Sequence, residues 1–430
     1  MKILVVSNLY PPGVVGGYEL LCRQTTEALA SRGHEVAVLT SPWGTADPDG
    51  SRVRIDRRLR LLSPFDQPYR IGDLGYRRVE RHNQAVTDSV LRAERPDVVF
   101  MWSQLRISLG AARAAEESTT PVVYTINDVN LANYIRPRIT RAPRSWAGRA
   151  RSLCRRHALG RRYVDDLRWR SVTCISTDLK RRLVAMGVPV PHAEVIHQGI
   201  PIAAFPSKPD PGRLHEPLRL LFVGALLDYK GVHTVIDGAH RAARRFPVEL
   251  TIVGDSANEA YKGRLRAAAT GPARVEFRGF VRHEDLPAVY RAHDVLAFAS
   301  HPIEGFGLTH LEAMASGTTV VATRRGGHAE ALSDGENALL FDADDAEGLA
   351  ARLVELRGSP DLSRRLARAA RAHVDSMFTH SRYVDRIERL LADTASRQPG
   401  TIYPLNCPSS FPAVTKNASA ATAPGRSPLR

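Results

Sequence analysis

An alternation of two residue patterns constrains this chain more than any other feature. Short apolar runs recur between stretches of helical spacing: KILVVSN (2–8), HEVAVLT (34–40), DVVFMWS (97–103), VVYTIND (122–128), SVTCIST (171–177) and AEVIHQG (193–199). Continuous apolar runs belong in sheets covered on both faces, and strands that alternate with helices join in parallel through crossovers. The alternation stops at PIAAFPSKPDPGRLHEP (201–217), which holds five prolines. It restarts with LRLLFVG (218–224), VELTIVG (248–254), RVEFRG (274–279), DVLAFAS (294–300), TTVVAT (318–323) and ALLF (338–341). At 430 residues the chain is too long for one core. It reads as α/β, two successive doubly wound, Rossmann-like parallel-sheet domains at 1–200 and 218–375, with a linker at 201–217.

After Asp345 the spacing is helical to about Asp393, with Tyr383, Ile387, Leu390 and Leu391 on one face. Residues 376–393 are expected to form a C-terminal helix that could return to the N-terminal domain. Residues 396–430, rich in Pro, Ser, Thr and Ala, are expected to be a disordered tail, since they offer too little apolar surface to order. Residues 42–76 read as a long irregular excursion, fitting an acceptor lid or a surface insertion alike.

No apolar run reaches the roughly 18 residues of a membrane span, and MKILVVSN turns polar too soon for a signal peptide. Cysteines at 22, 154, 174 and 407 show neither CxxC spacing nor a paired pattern, so no thiolate metal site or disulfide framework is implied. A cytoplasmic protein is expected. Of the net charge of +15, most sits between Arg136 and Arg182, where 15 Lys/Arg face Asp165, Asp166 and Asp178. With Trp146, Leu153, Leu159, Tyr163, Leu167 and Trp169 interspersed, 136–182 fits a solvated helix with its apolar side in the core. It also fits peripheral contact with an anionic membrane, at the inner face; nucleic acid is the less expected partner.

Functional residues concentrate in HPIEGFGLTHLEAMASG (301–317). A strand leads in, a helix is expected from Leu308 to Ser316, and Gly317 ends it. Glu304 therefore lies outside the carboxyl end of a parallel strand, where open α/β sheets bind ligands. The amides of Gly305, Phe306, Gly307 and Leu308 suit phosphate oxygens, and the glycines admit close approach of a ligand. The carboxylates of Glu304 and Glu312 can accept hydroxyl hydrogen bonds from a sugar or ribose. Taken alone, the two acids also fit a solvated turn and a helix surface. In the first half, PPGVVGGYE (11–19) puts Gly16 and Gly17 in the first strand-to-helix turn, without the GxGxxG spacing of a dinucleotide site.

Together these residues resemble the retaining glycosyltransferases of family four, whose GT-B fold sets two Rossmann-like domains face to face across a cleft. The resemblance covers about residues 1–392 in order. The family's E-x7-E element resembles Glu304 to Glu312, its glycine loop resembles PPGVVGGYE, and its phosphate-binding lysine element resembles VGALLDYKG with Lys230 and Gly231. FRGFV (277–281), with Val281, is similar to the base pocket, and Gly326, Gly327 and Glu330 are similar to a GG-x-x-E element. The resemblance implies a nucleotide-diphosphate sugar as donor, bound mainly by the second domain, and transfer to an acceptor hydroxyl of a polysaccharide, glycolipid or natural product. It implies that Lys230 neutralises the leaving diphosphate, assisted by the amides of 305–308 and the Gly16 and Gly17 loop. Glu304 would hold sugar hydroxyls, Glu312 the ribose, and Glu330 would steady the donor loop. A cationic, amide-lined pocket stabilises leaving-group charge without a metal, so neither metal nor cofactor is expected.

Three positions depart from the family pattern. Ala225 stands where an arginine is common, Gln198-Gly199 replaces Asn-Gly, and TIND places Asn127 at the usual histidine beside the donor sugar. Asparagine can hydrogen-bond a sugar hydroxyl but exchanges no proton at neutral pH, which limits Asn127 to positioning. Asp128 is a candidate acceptor contact or an Asx turn. Two other readings fit the scaffold: a nucleotide-sugar epimerase or phosphorylase, and a non-catalytic basic binding protein.

Overall fold

The computed structural model describes residues 1–44, 52–65, 72–135 and 163–397. Thirteen strands follow in chain order: Lys2–Val6 (β1), Glu35–Leu39 (β2), Arg54–Asp56 (β3), Val98–Met101 (β4), Val122–Ile126 (β5), Ser171–Cys174 (β6) and Glu194–Val195 (β7). The second set is Leu218–Val223 (β8), Val248–Val253 (β9), Arg274–Gly279 (β10), Val295–Phe298 (β11), Thr319–Thr323 (β12) and Leu339–Phe341 (β13). They pair in two sheets, ordered β3-β2-β1-β4-β5-β6-β7 and β10-β9-β8-β11-β12-β13. Every pairing is parallel, as in Ile3↔Val98 and Val295↔Leu220. Both orders reverse beside the first strand, between β1 and β4 and between β8 and β11. That reversal opens a crevice at the carboxyl ends of the flanking strands, and the α/β GT-B architecture follows.

The apolar runs of the sequence account for all strands but one. Strand β3 lies within the stretch expected to be irregular, pairing Ala37↔Arg54, Val38↔Ile55 and Leu39↔Asp56. Its single large apolar residue gives no periodic signal, and backbone pairing along one edge suffices to form it. The helix that follows β4 begins only at Gly110. Arg106 and Ser108 adopt left-handed φ values of 60° and 63°, which no helix turn tolerates. The remainder of the excursion at 45–51 and 66–71, the basic stretch from 136 to 162 and the tail from 398 lie outside the described residues.

The helix His380–Ala395 lays Tyr383, Val384, Ile387, Leu390 and Leu391 against Ile3, Val5, Phe100 and Val123 of the first sheet. Arg32 Nη2 meets Asp385 at 2.7 Å, and His34 Nε2 meets Glu388 at 2.7 Å, fixing its outer edge. The chain thus crosses between domains twice, and the two crossings touch. The Ile200 amide donates to Phe378 O at 2.9 Å, and the His380 amide donates to Ile200 O at 2.8 Å. A Cβ on Gly199 would lie 2.3 Å from Thr379 O, so this position needs glycine. One apolar cluster runs from Leu4, Met101 and Ile126 to Leu296, Phe298 and Phe306, joining the two domains. No helix among the described residues is long and apolar enough to cross a membrane.

Candidate active site

Two loops leave the carboxyl ends of β8 and β11, the strands that flank the reversal in the second sheet. The β8 loop tightens through a 3-10 turn at Asp228–Lys230 and leaves it at Gly231, whose φ is +68°. A Cβ at Gly231 would sit 2.3 Å from Ala299 O, so glycine is what lets the first loop lie on the second. The contact brings Lys230 Nζ to donate to Glu304 Oε2, with the side chains only 19% and 13% exposed. The Tyr229 ring centroid lies 5.3 Å from the same ammonium. Burial pulls the Lys230 ammonium down, but the Glu304 carboxylate more than offsets it and holds the lysine above its ordinary value. A charged lysine therefore stands in the crevice at neutral pH.

The first domain meets this pair from across the cleft. A Cβ on Gly305 would lie 2.6 Å from Asn127 O and 3.0 Å from Ile175 Cδ1. The close approach expected for a ligand at Gly305 is thus made by the other domain, and Ser176 Oγ donates to Gly305 O at 2.7 Å. Asn127 Nδ2 donates to Tyr18 Oη at 2.8 Å, and Asn127 Oδ1 accepts from Gln198 Nε2 at 2.8 Å. Tyr18 Oη in turn donates to Trp102 O. Asn127 is therefore held in place by groups from three segments. Asp128 Oδ1 accepts the Asn130 amide at 2.7 Å, an Asx turn, and burial pushes its carboxyl up. Beside them a small cavity of about 20 Å³ is lined by Tyr18, Trp102, Ser103, Gln104, Asn127 and Asp128.

The remaining expected residues separate into those on the cleft and those behind it. A Cβ on Gly17 would touch Leu308 Cδ1 at 3.7 Å, so the glycine loop and the Glu304 loop face each other. The Gly16 amide is already taken by Glu19 Oε2 at 2.9 Å, at the start of the helix Gly17–Ser31. Gly307 has φ +75°, which turns the loop into the helix Thr309–Ala315. The Phe306 ring is fully buried and stacks on His197 at 5.3 Å, so that side chain serves the domain interface. Val281, half-buried, packs against the shared core. Glu312 is 3% exposed and accepts from His283 Nε2 at 2.9 Å and Tyr290 Oη at 2.7 Å. Its hydrogen bond raises the His283 imidazole above its ordinary value, against the pull of burial. The carboxylate partners of the site are thus divided, with Glu304 on Lys230 and Glu312 on His283.

Glu330 crosses the interface. Its carboxylate accepts the Thr177 amide at 3.0 Å, the Asp178 amide at 2.8 Å and His197 Nε2 at 2.8 Å, capping the helix Thr177–Met186 of the other domain. Beneath it, a Cβ on Gly327 would fall 1.7 Å from Gly305 O, so the Gly-Gly element admits the Glu304 loop itself. Arg182 Nη1 adds a bond to Pro302 O at 2.7 Å. Ser176, His197 and Arg182 carried no sequence signal, because each acts on a residue more than one hundred positions away.

A family model described as Glycosyl transferases group 1 matches residues 206–373, and one described as Glycosyltransferase Family 4 matches residues 15–204. The glycogen synthase of Mycobacterium tuberculosis is 30% identical over 436 residues, 94% of this chain and 98% of its own. The mannosylfructose-phosphate synthase of Agrobacterium fabrum is 35% identical over 170 residues, 37% of each chain. Among solved structures, the sucrose-phosphate synthase of Thermosynechococcus elongatus is similar at TM-score 0.69 and 20% identity, covering 91% of this chain and 98% of that one. HepE of Anabaena, solved in complex with UDP-glucose, is similar at TM-score 0.67 and 21% identity, covering 91% and 100%. The structural likenesses carry the GT-B fold.

Proposed function

Since the chain belongs to the family-four glycosyltransferases of GT-B fold, we propose that it moves a sugar from a nucleotide-diphosphate donor to an acceptor hydroxyl with retention and without a metal at the diphosphate. The observation that carries this reading is the Lys230–Glu304 pair at the strand reversal of the second sheet, facing Asn127 across the cleft. The donor's diphosphate would draw the Lys230 ammonium toward its oxygens, which releases the Glu304 carboxylate to accept sugar hydroxyls. Lys230 then offsets the charge that develops on the departing phosphate. The Glu312–His283 pair, next to the FRGFV segment, is the candidate for the ribose and base end of the donor.

In the proposed step the acceptor oxygen bonds to the anomeric carbon on the face from which the diphosphate oxygen leaves. The acceptor's proton passes to that phosphate oxygen. No side chain serves as nucleophile in this reading: the Glu304 carboxylate, once released by Lys230, is engaged by the donor's sugar hydroxyls, and Asp128 is locked in its Asx turn. Asn127, fixed by Tyr18 and Gln198, orients a sugar or acceptor hydroxyl. The small cavity lined by Tyr18, Trp102, Gln104 and Asp128 marks the side of the cleft from which the acceptor hydroxyl would approach. Likeness to a glycogen synthase and to a UDP-glucose complex makes glucosyl donors and glucan acceptors the first to try. A cytoplasmic location, with peripheral membrane contact through 136–182, belongs to the same proposal, and co-sedimentation with anionic vesicles tests that contact.

The decisive experiment supplies UDP, GDP, ADP and TDP sugars with and without candidate acceptors in the presence of chelator, and follows donor and product by NMR. The reading expects acceptor-dependent donor loss and a product of unchanged anomeric configuration. An inverted product or a reaction abolished by chelator contradicts it, and donor interconversion without acceptor favours an epimerase.

A further inference from the structure

A second cluster of chemistry-bearing side chains lies beside the cleft and takes no part in the proposed transfer. His233 opens the helix Val232–Ala243 directly after the Lys230 loop, His301 opens the loop to Glu304, and Asp344 follows β13. Both imidazoles aim Nε2 at one carboxylate oxygen. His301 Nε2 lies 2.8 Å and His233 Nε2 3.3 Å from Asp344 Oδ1, and the three ligand atoms fall within 4.8 Å of one another. Asp344 reaches that position with φ +63°, a left-handed conformation that non-glycine residues adopt at a cost and that often marks functional sites. On the far side of the His233 ring, Nδ1 lies 3.2 Å from Tyr261 Oη, the kind of outer partner that fixes the tautomer of a ligating histidine.

We propose that His233, His301 and Asp344 form a binding site for a divalent transition metal of the zinc class. Two imidazoles and one carboxylate are a ligand set that selects such ions over calcium or magnesium. In a tetrahedral site they supply three ligands and leave the fourth to water. Metal entry exchanges the protons that the imidazoles now share with Asp344 for a single ion, so the hydrogen-bonded triad is already gathered for it. The ligands come from three separate segments. His301 donates its amide to Tyr229 O at 2.7 Å and accepts the Glu304 amide at 3.1 Å. An ion here would therefore tie the Lys230 loop, the Glu304 loop and the β13 edge together, and its occupancy would tune how firmly the donor-facing pair is held.

The test uses the full-length chain, zinc and cobalt(II). Equilibrium dialysis after chelator treatment should find one zinc ion per chain at this site. His233→Gln and Asp344→Asn should each weaken it by at least about tenfold and abolish the ligand-field absorption of the cobalt form, while melting like the wild type in chelator. Zinc should also sharpen donor binding in the wild type and not in the variants. Absence of binding overturns the proposal, as does binding that both variants leave unchanged. Neither outcome depends on transferase activity, so a failure here is separable from a failure of the proposed reaction.

Discussion

Removing the carboxylate of Glu330 is the sharpest probe of how the two domains are held. Its three hydrogen bonds, at 2.8 to 3.0 Å, link one domain's Gly-Gly element to the other domain's helix start and to His197. A hydrogen bond to a charged group is worth about 1.5–3 kcal/mol, and loss of a helix cap alone costs about 1 kcal/mol. The side chain is 22% exposed, so water replaces part of what is lost, and a total of about 3 kcal/mol is expected for Glu330→Ala. Expressed in domain closure, that energy is a factor of roughly 150 in the closed-to-open ratio. Hydrogen exchange across residues 172–186 should quicken, and calorimetric donor affinity should fall toward that factor, with Glu330→Gln intermediate because it keeps one acceptor oxygen. Unchanged protection together with unchanged donor affinity in the alanine variant would refute the latch. Its pH dependence has a definite sign. Burial pushes the carboxyl up, but His197 and the two amides outweigh it and hold it below the ordinary 4.5. A depressed acid contributes stability above its unfolded value and loses it as pH falls through the folded one, so the latch is closed at neutral pH and opens only in acid.

Two further perturbations address the cleft walls. Gly305→Ala forces a Cβ to 2.6 Å from Asn127 O, and an overpacked interface of this kind should cost about 1–3 kcal/mol in urea denaturation; an unshifted midpoint contradicts the contact. For Glu312→Gln, the hydrogen-bonded carboxylate raises His283 against burial, so the pair stabilises fully below the ordinary histidine value of 6.5 and fades as pH rises through the elevated one. The stability gap between wild type and variant should therefore be widest below pH 6.5 and narrow as pH rises above it, and a gap that widens would show the pairing to be wrong.

The double alternation was legible because the central strands are unbroken apolar runs buried on both faces, as at Ile3–Val6, Val98–Met101, Val295–Phe298 and Val320–Ala322. Strand β3 was not, since Arg54 and Asp56 flank a lone Ile55 and leave no apolar run or period to read. The E-x7-E spacing marked both acids but not their division, because His283 is set against Glu312 by the packing of a strand and two helices. Gly305 illustrates the same limit. The sequence marks a position where something must come close, and only the fold shows that the neighbour is Asn127 O. Glu330 reads locally as a helix-start acid, whereas the helix it caps begins 153 residues earlier.

The central claim is that Lys230 and Glu304 are paired for donor chemistry and not for stability. Removing one partner of a buried pair costs about 3–5 kcal/mol and confuses folding with function, whereas replacing both with uncharged side chains of similar volume is neutral or stabilising by about 1–4 kcal/mol. The most direct measurement is therefore thermal stability and sugar transfer side by side in the double variant Lys230→Met/Glu304→Gln. The account predicts a protein that melts no lower than the wild type and transfers no sugar. A double variant that turns over donor at the wild-type rate would contradict it.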